Sequence, residues 1–513
     1  MQRRDFFAAA GAGLLGAGAS AAALGQEPTT PAAPSPGDYM EIVARARELS
    51  TKPFEPVTVE LTGPLAELDY DSYRAIRPRT IPIGSEHSGF AIDLLPPGFI
   101  FRDPVGVSLV TSGGVQAIPF TLELFDFDPN FFGTGDMATS VNGEALAFSG
   151  FRLRHTINRV DHLDEFAVFQ GASYFRLIAR NMIYGLSARG LAVNTAGAMG
   201  EDFPTFRHYW IEQPVPGARS IAVRALLDSR SCSGAFEFVI SPGETTTMQT
   251  RCTLFPREVL EQVGIAPLTS MYVFGPQWRP GVDDFRSAVH DSEGLQMVTG
   301  GAERLWRPLT NPRQVQISAF QDTNPKGFGL SQRRRDFAHF QDDEARYDKR
   351  PTAWVEPVGD WTDGSVVLVE IPTQYEFNDN IVAFWRPDQP LGPTEQGHEF
   401  AYCLHWCAAP PDHVPLARVH ATRTGRSIHD ENRRVMAVDF ASEERWTVAP
   451  KVEATTSQGE ITGLSLRVLP CGDVVRVAFE FSPGQEGLVE LQLVLVGPDG
   501  PVSERWIYRW TPA

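Results

Sequence analysis

Apolar residues recur at every second position over most of this chain, the pattern of strands with one buried and one solvated face. The alternation is cleanest near the C-terminus. There Val475, Val477, Phe479 and Phe481 alternate with Arg476, Ala478 and Glu480, and Val489, Leu491, Leu493 and Leu495 share one face. After the turn Gly497-Pro498-Asp499-Gly500, Trp506, Tyr508 and Trp510 share another. With the run Leu464–Leu469 this makes four strands in about fifty residues, which predicts a small antiparallel sandwich. Further alternating stretches, such as Ser220–Leu227, Ala235–Ile240, Val366–Ile371 and Asn380–Trp385, fill residues 55–407. Helical patterns of ten or more residues are almost absent between them, so no βαβ rhythm arises. The expected class is all-β, with one large antiparallel sandwich followed by the small one.

Two helices are expected. Asp38 has the character of an N-cap with Glu41 completing a capping box, and Ile42, Ala46 and Leu49 follow at helical spacing. A second, short helix is expected at 256–263, with Pro256 in its first turn and Gly264 as C-cap. The polar, Pro-containing stretch Ala408–Pro415 places a boundary near 410. The expected organisation is therefore a leader at 1–25, a Pro-rich linker at 26–37, a large sandwich at 38–409 and a small one at 410–513.

The leader carries its own message. Met1-Gln2-Arg3-Arg4-Asp5-Phe6-Phe7 is followed by a small, apolar run from Ala8 to Leu24, and Ala23-Leu24-Gly25 resembles a cleavage site. This predicts a twin-arginine export peptide and a soluble bacterial periplasmic protein. No other apolar run reaches the ~20 residues needed to span a bilayer.

Composition narrows the partners. The 513 residues carry a formal net charge of −18, with no basic run long enough to offset it, so nucleic acid is not an expected partner. Five cysteines occur, at 232, 252, 403, 407 and 471. Cys232 and Cys252 lie symmetrically about the turn Ser241-Pro242-Gly243-Glu244, so two buried thiols or a cross-strand disulfide both fit. Cys403, His405 and Cys407 would line up on one strand face, which cannot close a tetrahedron around zinc without other ligands. A core-facing strand is expected there, and no metal site.

The chain lacks a Gly-x-Ser-x-Gly elbow, a phosphate-binding loop, His-Glu-x-x-His and Cys-x-x-Cys. No cofactor is implied. What remains is carboxylates and aromatics in Gly- and Pro-rich loops: His290-Asp291-Ser292-Glu293, Asn324–Gly329, Tyr347–Pro351, Trp354–Pro357 and Glu376–Asn380. Paired carboxylates with aromatic platforms and Arg or Asn donors suit sugars, whose rings offer apolar faces and whose glycosidic bonds need an acid and a base.

Longer motifs sharpen this. Gly171–Arg176, Tyr184–Ala192, Gly264–Met271, Asn324–Gly329, Lys349-Arg350-Pro351, Trp354–Pro357 and Glu370–Thr373 resemble the periplasmic glucan biosynthesis proteins of the G and D type. The twin-arginine leader is similar to the D type. The resemblance implies a mutarotase-like β-sandwich joined to a C-terminal immunoglobulin-like domain. It also implies work on β-1,2-glucan, by anomer-inverting cleavage or transglycosylation, in making osmoregulated periplasmic glucans. Residue by residue, it puts the general acid on Asp379 and the general base on Asp291. Tyr347, Glu376, Arg189, Lys326 and Trp354 become candidate glucan contacts. The alternative is a non-catalytic glucan-binding module that guides chains from a membrane glucosyltransferase. A second copy of the chain is a further candidate partner.

Overall fold

The computed structural model describes residues 35–84, 88–133, 146–198, 200–279, 281–411, 414–483 and 487–512. The expected leader and nearly all of the linker lie outside the described residues. Residues from Pro36 onward form one compact unit.

Two large, mainly antiparallel sheets face each other, as the alternation requires. The first runs from Phe90–Leu95 through Gly150–His155, Asp164–Gln170, Tyr174–Leu177 and Ser187–Arg189 to Val263–Ser270, Ile381–Pro387, Asp363–Glu370 and Gln316–Thr323. The second includes Cys232–Ser241, Thr246–Pro256, His398–Cys407, Thr352–Val358, Gly327–Ser331, Gly294–Val298 and Arg304–Pro308, in that order. Between them Phe236, Phe238, Val355, Leu404 and Trp406 pack with Phe175, Leu268, Leu368, Ala383 and Trp385 in one core. Ile381–Pro387 is covered on both faces, because Val382 and Phe384 pack with Val367 and Val369 on the outer side.

The C-terminal strands build a core of their own from Val438, Phe440, Val477, Phe479, Leu491, Leu493, Trp506 and Tyr508. The four-stranded sheet of Arg418–Arg426, Arg434–Ala441, Val474–Ser482 and Glu460–Val468 forms one layer. Lys451–Thr456, Val489–Gly497 and Arg505–Trp510 form the other. Arg505–Trp510 also pairs in parallel with Arg304–Pro308, so the second large sheet continues into this layer. Trp306 correspondingly belongs to the C-terminal core.

The helix Tyr39–Ser50 forms as expected, with Ile42 and Ala46 buried against Trp210, Leu226, Ala235 and Phe255. Its cap differs from a reciprocal box. Asp38 accepts from Tyr39 N at 2.6 Å, while Glu41 reaches back to Gly37 N at 2.7 Å.

Two local expectations are corrected and one open alternative is decided. No helix forms at 256–263: Pro256 ends the strand Thr246–Pro256, and Leu260 bridges Leu391. Gly264 is a strand residue, where a Cβ would meet the Phe384 ring at 2.6 Å, so tertiary contact and not a helix cap explains this glycine. The disulfide option also falls. In the hairpin register Cys232 faces Pro256 and Cys252 faces Phe236, an offset of four residues or roughly 13 Å, beyond the ~7 Å that a bridge spans. All five cysteines are free thiols. Finally, Tyr402, Leu404 and Trp406 take the core side of their strand, so Cys403, His405 and Cys407 point to the opposite side of the sheet. There His405 Nε2 meets Glu356 Oε2 at 2.8 Å.

Candidate active site

Asp291 follows the two-residue strand Val289–His290, which pairs with Tyr272–Phe274, and its own N–H donates to Met271 O at 2.9 Å. Asp379 precedes the strand Ile381–Pro387. One buried amide joins the two segments. Asn380 accepts from Tyr272 N at 2.8 Å and donates to Tyr272 O at 3.0 Å and Ile371 O at 2.9 Å. Tyr272 in turn pairs with His290 across the short ladder, and their rings stack at 5.4 Å. Carboxylates far apart in sequence thus become neighbours of residues tied to a single tyrosine.

The Asp291 segment is held from the other side by Gln332. Its amide nitrogen donates to His290 O at 3.0 Å and Tyr347 O at 3.2 Å, and its Oε1 sits 2.9 Å from His290 Nδ1. That acceptor fixes the imidazole as the Nδ1–H form. Burial, with a smaller push from His339, lowers the His290 pKa to about 3, so the ring stays neutral.

Asp291 is nearly fully buried and paired with Arg350. Burial raises its pKa; Arg350, Arg176 and their hydrogen bonding or charge pull the other way, and Glu376 pushes it up again. Gly185 makes room for this arginine, since a Cβ there would meet Arg350 Cβ at 2.9 Å. The Asp379 side chain is 32% exposed, and its Oδ2 lies 3.5 Å from Arg176 Nη2. Burial again raises its pKa, against the pull of Arg176 and with a further rise from the charge of Asp291. The two carboxyl groups are therefore within each other's electrostatic reach.

Tyr347 and Glu376 join this group. The Tyr347 hydroxyl donates to Glu376 Oε2 at 2.9 Å, and Arg350 lies over its ring at 4.4 Å. Arg286 holds Glu376 at 2.9 Å and Asp342 at 2.7 Å. Cavities flank the Asp379 loop on two sides. One of about 410 Å³ is lined by Asp379, Arg176, Tyr174 and Phe101; another of about 870 Å³ by Trp278, Asn311, Tyr375 and Asn378. On the loop itself Tyr375 and Phe377, 55% and 79% exposed, stack at 5.0 Å.

The remaining expected contacts divide. Arg189 is buried and engaged with Glu201 at 2.7 Å, Thr195 and Tyr174, and its charge, like that of Arg176, pulls the Asp379 pKa down. Lys326 and Trp354 line a separate cavity. Sequence reading assigned no role to Arg176, Asn380, Gln332, Arg286 or Gly185. Of these, Arg176 and Gly185 stood inside motifs already recognised, whereas the work of Asn380 depends on a strand more than a hundred residues away.

The fold is an all-β sandwich architecture in which a buried carboxylate, a half-exposed one, several arginines and two exposed aromatics lie near one another. The profile of the family described as periplasmic glucan biosynthesis protein, MdoG, matches residues 38–510, and the chain belongs to that family. It is 43% identical over 472 residues to a protein of Rhodopseudomonas palustris named Glucans biosynthesis protein G, covering 91% of this chain and 92% of that one. Proteins of the same name from Vibrio cholerae and Bradyrhizobium diazoefficiens are 43% and 42% identical over 92% and 91% of this chain, covering 87% and 92% of theirs. These relatives carry the G designation, which corrects the expected D type. Among the described residues no helix is long and apolar enough to cross a membrane.

Proposed function

We propose that this periplasmic glucan biosynthesis protein is an anomer-inverting glycoside hydrolase or transglycosylase acting on β-1,2-glucan, with Asp379 as general acid and Asp291 as general base. In this reading the twin-arginine leader exports it to the periplasm, and the chain divides near 410 into the site-bearing sandwich and an immunoglobulin-like one. The observation that supports the reading is the placement of two carboxyl groups among neighbouring arginines, Asp291 on Arg350 and Asp379 3.5 Å from Arg176, with one cavity at Asp379 and another beside its loop; burial raises the pKa of both. A carboxyl kept protonated toward neutral pH is able to donate to a leaving oxygen. At the second carboxylate Arg350 opposes the push of burial and favours the ionised form, which accepts the proton of the attacking hydroxyl. Two flanking cavities suit a chain cut or joined in its interior, with Tyr347 and Glu376 bordering the reacting unit and the Tyr375–Phe377 stack offering a face for a pyranose.

Arg176 favours the competing reading. An arginine 3.5 Å from Asp379 stabilises its ionised form, as a site that only binds glucan would tolerate. Such a module would pass chains on from a membrane glucosyltransferase. Incubating the purified protein with linear β-1,2-glucan separates the two. New chain lengths, with the product anomer inverted, support the enzyme; unchanged chains that still bind support the module.

A further inference from the structure

Two of the motifs that mark this family by sequence play no part at the carboxylates. Asn324–Gly329 and Trp354–Pro357 meet instead around a cavity of about 610 Å³, lined among others by Lys326, Trp354, Glu356, Pro357, Asp360 and Pro411. The strands Gly294–Val298, Gly327–Ser331 and Thr352–Val358 are neighbours in the second large sheet. Their opposite ends lie beside Asp291 and Arg350. From Arg350 to Glu356 is six residues, or about 20 Å of extended chain. The cavity is therefore a separate place on the molecule.

Its walls are built with some care. Asn324, at φ 54°, turns the chain and accepts from Trp361 N at 2.8 Å and Thr362 N at 2.9 Å, which fixes the loop that presents Lys326. Gly327 lets that loop lie against the indole, since a Cβ there would meet Trp354 Cζ2 at 2.2 Å. Lys326 is exposed and has no ion pair among the described residues. Glu356 keeps one oxygen on His405, and Asp360 has one on Thr362 N, so each has a second oxygen to offer.

The chemistry narrows the occupant. Two carboxylates disfavour an anion, the unpaired ammonium disfavours a cation, and three hydrated charges disfavour a purely apolar ligand. A neutral polyol satisfies all of them: its hydroxyls donate to Glu356 and Asp360 and accept from Lys326, while its C–H faces lie on Pro357, Pro411 and the indole edge. We propose that this cavity is a second glucan-binding site, holding glucose units about 20 Å from the reacting bond by the measure of strand length above. The proposal rests on the glucan reading of the cleft.

The test uses the full chain carrying Asp379→Asn, to stop turnover, titrated calorimetrically with linear β-1,2-glucan. Two binding events per chain are expected. Adding Lys326→Ala and Glu356→Gln should remove one event with the melting temperature unchanged, because both side chains are exposed and the amide of Glu356→Gln still meets His405 Nε2; Lys326→Gln alone should weaken the same event. Arg176→Glu should remove the other. A single event in the parent, two events surviving in the Lys326 and Glu356 variants, or loss of both with Arg176→Glu would each overturn the second site. Absence of any binding would instead overturn the glucan reading itself, and the second site with it.

Discussion

Asn380 grips Tyr272 by both of its backbone groups, accepting from its N–H at 2.8 Å and donating to its carbonyl at 3.0 Å. A third bond, to Ile371 O at 2.9 Å, closes the base of the loop that carries Asp379. The amide is buried, so water cannot replace it.

Asn380→Ala should therefore cost about 2–4 kcal/mol of stability, because three backbone groups, two of them buried, lose their partner. Asn380→Asp should be no better, since a carboxylate cannot donate to two carbonyls. Chemical denaturation checks the stability, and chain-length analysis checks the expected loss of activity in any protein that remains folded.

Asp379 and Asp291 both have folded pKa values raised above those of the unfolded chain. The native state therefore holds more protons than the unfolded state in the window between the ordinary carboxylate pKa and the raised one. Stability falls as pH rises through that window and carries no such penalty below it. Asp379→Asn should flatten this fall, matching the parent in acid and equalling or exceeding it at neutral pH. In the same variant activity should drop by orders of magnitude, because the amide has no proton to give. Melting curves and rates measured across pH test both statements; a variant with full activity would remove Asp379 from the chemistry.

Arg350 opposes the upward push of burial on Asp291. Removing it in Arg350→Ala should move the acid limb of the pH–rate profile to higher pH, since the base then loses its charge more readily. Gly185→Ala should move it the same way by less, because a Cβ would meet Arg350 Cβ at 2.9 Å and shift the guanidinium. An unmoved limb in both variants would detach Asp291 from the rate.

Thiol labelling of the denatured, unreduced protein should count five free cysteines. In the native protein Cys471, which is exposed, should react first. Burial pushes the Cys252 thiol up to about 12 and the Cys232 thiol higher still, so both should resist until unfolding. Two missing thiols would show that the hairpin register is wrong.

Much of this was written locally in the chain. The all-β class followed from period-two alternation, because Val475 to Phe481 and Val489 to Leu495 bury one face regardless of what covers it. Residue types around Asp291, Tyr347, Glu376 and Asp379 suggested sugar chemistry only in outline, and the roles expected of them came from the resemblance of their motifs to one family. Local reading failed where tertiary contact overrode it. Pro256 and Gly264 have the credentials of helix ends, yet the first completes a strand and the second makes room for Phe384. Register is the same kind of case: symmetry about a turn left both a bridge and two free thiols open for Cys232 and Cys252, and pairing across the hairpin set them four residues apart. Only the fold could decide that Lys326 and Trp354 stand away from the carboxylates while Arg176, Arg286 and Asn380 stand among them. Such placements depend on which strands lie side by side and which way each side chain faces, and those are properties of the packed sheets that no stretch of sequence holds alone.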